Sequence, residues 1–307
     1  MIEVWSDGKA GAGATEHEFS LSPYDPALVG VVIRGRRLVQ DTRELEAGDI
    51  FVALGRPGAP ALPYIDDAIR RGASAVLVDA AALPGGEVPA GDVPARVHRV
   101  AGLAASLGRI VADFTGNPSR ALNIVGITGT NGKTSTAHLL TQAWNQLGVP
   151  SATIGTLGAG ITGHPRINMG MTTPQVTTLH QYLADFVAAG VTTVAMEVSS
   201  HALAQNRVAG VEFDTMSSHG DLRATVRAES VRLTTGGLEF ELVIGPSRHP
   251  VRSSLIGRFN VDNLLACATV LYTQNHPADQ IAAVLSPLTP VVGRMTRIQP
   301  DPSLPLV

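Results

Sequence analysis

The stretch Gly126-Ile-Thr-Gly129-Thr130-Asn131-Gly132-Lys133-Thr134-Ser135 constrains this chain more than any other part of it. The apolar run Leu122 to Ile127 before it predicts a buried strand. The spacing of Leu140, Ala143, Trp144 and Leu147 after it predicts an amphipathic helix that stops at Gly148. A strand, a glycine-rich turn, Lys-Thr and a helix form the layout that holds a nucleoside triphosphate. Small residues let backbone N–H groups face the phosphates, and the helix N-terminus adds its positive end. On this reading Lys133 lies against the β- and γ-phosphates and the Thr134 hydroxyl binds Mg²⁺. The spacing departs from G-x-x-x-x-G-K-[ST], because Ile127 stands where the first glycine belongs. The competing reading is a plain turn that contains a lysine.

The chain has 307 residues, enough for two domains and a sizeable core. Hydrophobic residues make up 44% and charged residues 16%, a globular balance, and a net charge of −3 argues against general attraction to nucleic acid or membrane. The 32 glycines and 20 prolines are spread along the chain, which suits the many short loops of an α/β protein. The single cysteine, Cys267, sits in the apolar stretch Leu264 to Leu271 and reads as a buried thiol with no internal disulfide partner. No run approaches membrane-spanning length and the N-terminus lacks a basic-then-apolar leader pattern, so cytoplasmic residence is the expectation. Oligomeric state is not legible.

The first 28 residues read as irregular. Asp49 to Leu54 predicts a strand, Tyr64 to Arg71 a helix with Ile65, Ala68 and Ile69 inward, and Ala73 to Val78 a second strand; such a β-α-β unit implies parallel pairing. Leu83 to Pro94 reads as a solvated loop, and a helix from about Ala101 to Phe114 runs to a break at Gly116-Asn-Pro118-Ser119. Beyond Arg120, further strands are expected at Ser151 to Leu157 and Val191 to Val198. A helix at Thr177 to Ala189 turns Leu179, Leu183, Phe186 and Val187 to one side. Largely apolar strands alternating with helices imply a mostly parallel sheet covered on both faces. Leu222 to Ile244, with its Thr234-Thr-Gly-Gly turn, predicts antiparallel hairpins. Asn260 to Tyr272 and Ala278 to Leu285 predict helices, and the tail from Gln299 is proline-rich.

A second constellation is Met196-Glu197-Val-Ser199-Ser200-His201-Ala-Leu203, at the carboxyl end of an apolar strand, the edge where open α/β sheets bind ligands. A carboxylate there suits the Mg²⁺ of a nucleotide held by the glycine-rich loop; the alternative is a solvent-facing strand-end glutamate. Together with Gly126 to Ser135, Thr172-Thr173-Pro174, Gln205, Arg207, Gly220-Asp-Leu-Arg-Ala-Thr225, Gly257-Arg-Phe-Asn260-Val-Asp-Asn263 and Gly293-Arg294-Met295, these residues resemble the Mur ligase family. The Glu197-to-Leu203 run points to the branch that joins an amino acid to UDP-N-acetylmuramoyl-L-alanyl-D-glutamate. The resemblance runs from about Val39 to Ile298.

It implies an α/β chain: a uridine-binding β-α-β domain at 29–119, recognisable in Asp41-Thr42-Arg43 and Gly48 to Leu54, and a P-loop, ATP-binding central domain at 120–298 with an antiparallel extension. It implies ATP and Mg²⁺ as cofactors, and as partners the UDP-N-acetylmuramoyl dipeptide and an amino acid, diaminopimelate or lysine. In the family reaction a carboxylate attacks the γ-phosphate to give an acyl phosphate, and the amine then displaces phosphate. By resemblance Gly129, Thr130, Asn131, Gly132, Lys133, Thr134 and Ser135 hold ATP, with Arg294 reaching the nucleotide. Lys133 and Glu197 serve the chemistry, Thr134 and Glu197 hold Mg²⁺, and Thr42, Thr172, Thr173, Ser199, Gln205 and Arg207 hold the nucleotide-sugar dipeptide. Arg207 suits this physically, since its planar fork matches carboxylate or phosphate. Asn260 and Asn263, three apart on one helix face, read either adenine edges or a helix cap. His201 reads as an orienting, hydrogen-bonded core group without a catalytic part.

The family pattern breaks in three places. Between Met216 and Asp221 the T-N-L-x-x-D-H-L-D-Y-H-G stretch and the helix with a carbamylated lysine are missing, so an internal deletion is expected there, His219 being at most a remnant. Uncovering several hundred Å² of apolar surface at roughly 25 cal/mol per Å² would rival a domain stability of about 5–15 kcal/mol. After Arg294 the expected third domain, with its D-N-P-R signature, does not follow, and 299–307 is a tail. Finally, Arg56 to Pro63 lacks D-G-H-D-F, and Met171 stands where some members carry asparagine. The alternatives are therefore a nucleotide- or UDP-sugar-binding chain that does not ligate, and another ATP-dependent amide ligase, of folylpolyglutamate or cyanophycin type.

Overall fold

The protein is described from a computed structural model at residues 16–55, 61–82, 97–218 and 225–291, with the side chains of 216–218 left aside. The loop 83–94, residues 56–60, the stretch 219–224, Arg294 and the tail lie outside the described residues. The chain divides into two compact units: 1–121 with 174–189 and 204–211, and 122–173 with 190–203 and 212–307.

In the first unit, residues 1–15 of the expected irregular start lie outside the described residues, and from residue 16 onward the expectation is corrected. His17–Ser20 (β1) pairs antiparallel with Val32–Gly35 (β2), Phe19 opposite Ile33. The reason is an apolar anchor that composition hid: Phe19 stacks on Tyr24 with ring centroids 5.5 Å apart and meets Phe114 edge-on at 5.7 Å, while Leu21 is fully buried. Leu38–Val39 (β3), Ile50–Ala53 (β4), Ala75–Asp79 (β5) and Val97–Val100 (β6) form a parallel sheet in that order. The helix Leu62–Arg70 (α1) makes the β4–β5 crossover, as the β-α-β pattern predicts, with Ile65 and Ala68 buried and Ile69 half-buried. Arg37 sends Nη2 to Asp49 Oδ2 at 2.6 Å, satisfying a fully buried carboxylate at the entrance to β4. The helix Leu103–Phe114 (α2) carries Gly108 where a Cβ would lie 2.6 Å from the carbonyl carbon of Ala209; only glycine permits that approach of the 209–210 backbone.

Asp25 connects two pieces of this unit. Its carboxylate accepts from Ala27 N at 2.9 Å, capping the 3-10 turn Pro26–Leu28, and from Ala101 N at 2.8 Å ahead of α2. These two N–H bonds hold its pKa below the ordinary carboxylate value. A depressed native pKa gives stability that is fully present above the unfolded value of about 3.9 and lost as pH falls through the native one. Asp25→Asn is therefore expected to lower stability near neutral pH and flatten its decline below about pH 4, read from urea midpoints across pH.

The second unit begins with Asn123–Thr128 (β7) and Lys133–Gln146 (α3), then the hairpin Ser151–Gly155 (β8) and Gly158–Ile161 (β9). The helix Val176–Ala188 (α4) follows in sequence but belongs to the first unit, where it packs on α2; His180 Nε2 lies 2.9 Å from Ala209 O and Thr177 bonds Gln40 at 3.3 Å. Its Leu179, Leu183 and Phe186 are fully buried, but Val187 is 36% exposed, against expectation, because it falls one step off the buried stripe. Thr193–Glu197 (β10), the short helix Ser200–Ala204 (α5) and Thr215–Ser218 (β11) come next. The sheet runs β11-β7-β10-β8-β9, parallel except for β9.

A three-stranded antiparallel sheet follows: Val226–Thr234 (β12), Gly237–Ile244 (β13) and Ser247–Ser253 (β14). The hairpin at Thr234 was expected; β14 was not, since Arg, His and Pro break its apolar alternation. Phe259–Thr273 (α6) and Ala278–Leu285 (α7) complete the unit. No helix among the described residues is long and apolar enough to cross a membrane.

One core joins Val125 and Ile127 of β7 to α3, α6, α7 and the inner face of β12–β14, through Phe240, Leu242 and Val251. Cys267 is fully buried in it, and burial pushes its thiol pKa up. Trp144, fully buried, donates Nε1 to Gln274 Oε1 at 2.9 Å. Trp144→Ala is expected to cost about 3–5 kcal/mol, measured by urea denaturation, and far more than Leu147→Ala at the half-buried helix end.

Candidate active site

Three neighbouring parallel strands converge at their carboxyl ends. β10 lies between β7 and β8, with Glu197 in register with Ile127. β7 runs into the glycine-rich loop, β10 ends on Glu197, and β8 ends on Gly155-Thr156. An open α/β sheet offers its ligand crevice at this rim, because the loops leave the strands there and helix N-termini face it. Gly132 caps α3 with φ of 82° and Gly129 has φ of 125°, conformations that a side chain resists, so both glycines are needed to turn the loop into the helix. Lys133 folds back over the loop, donating Nζ to Gly129 O at 2.7 Å and Thr130 O at 3.4 Å. Thr130 and Asn131 are exposed, and Ser135 is half-buried.

Glu197 is 2% exposed, and among the described residues it forms no ion pair. Its neighbours are neutral donors. Oε2 accepts from the Thr134 hydroxyl at 2.8 Å and the Thr156 hydroxyl at 3.2 Å, and Oε1 accepts from Thr156 N at 2.8 Å. A buried carboxylate without a basic partner, beside a hydroxyl oxygen, is a donor set suited to a hard cation. Among the described residues no group of three or more His, Cys, Asp or Glu gathers to cage a metal, so a cation here would draw further ligands from a bound phosphate or water.

Thr173, 1% exposed, ties the same strand end to the next loop: its hydroxyl donates to Glu197 O at 2.8 Å and accepts from Ser199 N at 3.2 Å. Ser199 Oγ in turn accepts from Ala202 N at 3.1 Å, opening α5. Thr172 is half-buried, with Oγ1 3.1 Å from Thr156 Oγ1. Thr42, Gln205 and Arg207 belong to the first unit. There Thr42 is buried, its hydroxyl bonded to Asp67, and Arg207 donates Nη2 to Gln205 Oε1 at 2.6 Å. His201 is exposed on α5, which corrects the expectation of a core histidine: the helix turns Ala202 inward instead. Arg294 lies outside the described residues.

A cavity of about 390 Å³ opens beside the loop, lined by Asn131, Gly132 and Ser135 on one side and Leu255, Phe259, Asn260 and Asn263 on another. The helix-cap alternative for the two asparagines is corrected, since the residue before α6 is Arg258 and no side chain caps it. Asn260 instead donates to Ile256 O at 2.8 Å and accepts from Asn263 Nδ2 at 2.8 Å, while Thr136 Oγ1 donates to Asn263 Oδ1 at 3.3 Å. Both amides are thus oriented from behind at the cavity wall. Sequence reasoning missed Phe259, 47% exposed at that cavity, and Gly155 and Thr156 at the rim. The strand-end rule that singled out Glu197 would also have flagged Thr156. It missed Arg166 too, whose stem lies across Gly158 and Gly160, and the neighbouring His138, whose pKa is pushed down by burial and by the Arg166 charge.

Comparison with known proteins agrees with this architecture. Residues 127–216 match the description "Mur ligase middle domain". The UDP-N-acetylmuramoyl-L-alanyl-D-glutamate–2,6-diaminopimelate ligase of Xylella fastidiosa (strain 9a5c) is 42% identical, over 94% of this chain and 68% of its own length. The enzyme of that name from Xanthomonas campestris pv. campestris (strain 8004) is 39% identical over 88% of this chain and 66% of its own. The chain belongs to the Mur ligase family. Within it, the fold is like that of a solved UDP-N-acetylmuramoyl-L-alanyl-D-glutamate–2,6-diaminopimelate ligase, with a TM-score of 0.73 and 21% identity over 93% of this chain and 70% of that one. It is also like the MurF ligase of Thermotoga maritima in complex with ADP, with a TM-score of 0.56 and 17% identity over 86% and 68%. The alignment with the Xylella relative extends over 347 positions, more than this chain's 307 residues, so that relative carries residues with no counterpart here.

A Cβ at Gly155 would overlap Glu197 Oε1 and stand 2.8 Å from its Cδ. Gly155→Ala is expected to push the carboxylate from its three donors and to lower stability by about 1–3 kcal/mol, read from a urea melt.

Proposed function

We propose that this chain is an ATP-dependent ligase of the MurE type, adding diaminopimelate or lysine to UDP-N-acetylmuramoyl-L-alanyl-D-glutamate in peptidoglycan synthesis. The observation that carries this reading is the contact of Thr134 with a buried Glu197 that has no basic partner among the described residues, at the lip of the glycine-rich loop. The loop then acts as a P-loop: the backbone of Gly129 to Gly132 and the first turn of α3 receive the phosphates, and Lys133 leaves the carbonyl of Gly129 for the β- and γ-oxygens. Thr134 and Glu197 would hold Mg²⁺, whose part is to neutralise charge on the transferring phosphoryl group. The cavity runs from the loop to α6 and suits a nucleoside in volume. Asn260 and Asn263 would face adenine, and Phe259 offers it an aromatic surface.

The acceptor carboxylate of the muramoyl dipeptide attacks the γ-phosphorus, and ADP leaves. The amine of the incoming amino acid attacks the acyl phosphate, loses a proton, and expels inorganic phosphate. Positioning and charge neutralisation do most of the work in the first step, which is why a lysine, a hydroxyl and a carboxylate suffice there. Thr172, Thr173 and Ser199 would receive the dipeptide; on resemblance Gln205 and Arg207 also serve it, and Thr42, in the proposed uridine-binding domain at 29–119, serves the uracil. Arg294 is assigned to the nucleotide on resemblance alone.

A second reading, nucleotide or UDP-sugar binding without ligation, is favoured by one observation: the family match ends at Met216, where the T-N-L-x-x-D-H-L-D-Y-H-G stretch and the helix with a carbamylated lysine would follow. Incubation with ATP, Mg²⁺, the muramoyl dipeptide and diaminopimelate or lysine separates the two. Amide product by mass spectrometry with stoichiometric phosphate release supports ligation, whereas tight binding without phosphate release supports the second reading. Lys133→Ala is expected to abolish ATP binding in calorimetry, and unchanged affinity in that variant refutes the phosphate-loop assignment.

A further inference from the structure

The threonine at the end of β8 grips Glu197 twice, through its backbone and through its side chain. Thr156 N donates to Oε1 at 2.8 Å and Thr156 Oγ1 lies 3.2 Å from Oε2, so a single residue spans both carboxylate oxygens and fixes the plane of the group. Gly155 makes that approach possible, since any Cβ there would occupy the carboxylate's space. The same hydroxyl is 3.1 Å from Thr172 Oγ1.

The direction of this chain follows from chemistry. An ionised carboxylate only accepts, so the Thr156 hydroxyl must donate its one proton to Glu197. Its oxygen is then an acceptor, and the proton between the two threonines belongs to Thr172. Hydrogen bonds therefore run Thr172 to Thr156 to Glu197, with Thr134 donating to the same oxygen from the loop side.

We propose that Thr156 is a positioning residue that orients Glu197 for the cation and couples it to whatever binds at Thr172. The proposal rests on the ligase reading above. A cation that draws charge from Glu197 Oε2 weakens its hold on the Thr156 proton, and so makes Thr156 a poorer acceptor for Thr172. The Thr172 hydroxyl is then released to donate to the acceptor substrate. Conversely, an acceptor oxygen that takes the Thr172 proton leaves Thr156 free to rotate with Glu197 toward the cation. Binding on either side eases binding on the other, and such linkage is reciprocal.

Thr156→Val keeps the shape and the backbone N–H and removes only the hydroxyl. The test measures, on the full chain, the Mg²⁺ dependence of ADP affinity by calorimetry, with and without saturating UDP-N-acetylmuramoyl-L-alanyl-D-glutamate. In the wild type, the dipeptide is expected to tighten Mg²⁺–ADP binding. In Thr156→Val the Mg²⁺-dependent gain is expected to shrink by roughly 10–100-fold, as for other groups that orient metal ligands, and the effect of the dipeptide to vanish. ADP affinity without Mg²⁺ should stay unchanged, which a merely structural lesion would not allow. Thr156→Ser is expected to restore both. Should valine not be accommodated in the fold, Thr156→Ala removes the hydroxyl without bulk and carries the same expectation. A valine or alanine variant with wild-type Mg²⁺ dependence and an intact dipeptide effect overturns the proposal while the ligase reading stands, and so does a wild type in which the dipeptide has no effect. A wild type that binds no nucleotide overturns both.

Discussion

Everything at this site depends on a buried carboxylate that, among the described residues, is satisfied by neutral donors. Taking Glu197 out of water with no basic partner among the described residues is costly, and three hydrogen bonds from Thr134 and Thr156 offset that cost only if all are kept. The parallel sheet makes this possible. It sets β7, β10 and β8 side by side and in register, so that a loop hydroxyl, a carboxylate and a strand-end threonine arrive at one rim. No flexible segment has to find the geometry; the backbone ladder imposes it. The proposed cation site rests on this carboxylate, whose hydrogen-bond partners among the described residues are all neutral.

The same economy governs the interior of the second unit. The break in the family pattern after Met216 suggested uncovered apolar faces. On the described residues, however, Val125 and Ile127 remain buried in a continuous core that runs through α6 into Phe240 and Leu242 of the antiparallel sheet. β11 also stays tied to β7, with Asp214 accepting from Ile124 N at 2.8 Å just ahead of it. The antiparallel sheet thus contributes core as well as surface: its inward residues are apolar and its outward ones pair charges, as Arg227 and Arg248 do with Glu229.

Periodicity revealed most of the scaffold. The β-α-β unit around Ile50–Ala53 and Ala75–Asp79, the strand and helix flanking the loop, and the helices at 259–273 and 278–285 were all legible, because each carries its own apolar stripe or run. What escaped detection was short or depended on partners. The strand His17–Ser20 exists because Phe19 finds Tyr24 and Phe114, ninety-odd residues apart in sequence at the farther end. Ser247–Ser253 has a polar, proline-containing sequence and is a strand only because β13 offers it a ladder. His201 looked like a core group in a motif of small residues, yet its helix is a single turn that can bury only Ala202.

A glycine-rich turn joining a buried strand to a helix that begins Lys-Thr, and a glutamate ending another apolar strand, were both legible in the residues, since both follow from local composition and spacing. That these belong to adjacent strands, that Thr134 and Glu197 touch across 63 positions of chain, and that Thr156 completes the grip emerges from the folded sheet alone. Strand order is a property of the sheet rather than of any segment within it. It is chosen by which apolar faces can be covered together, and no local stretch of residues contains that choice.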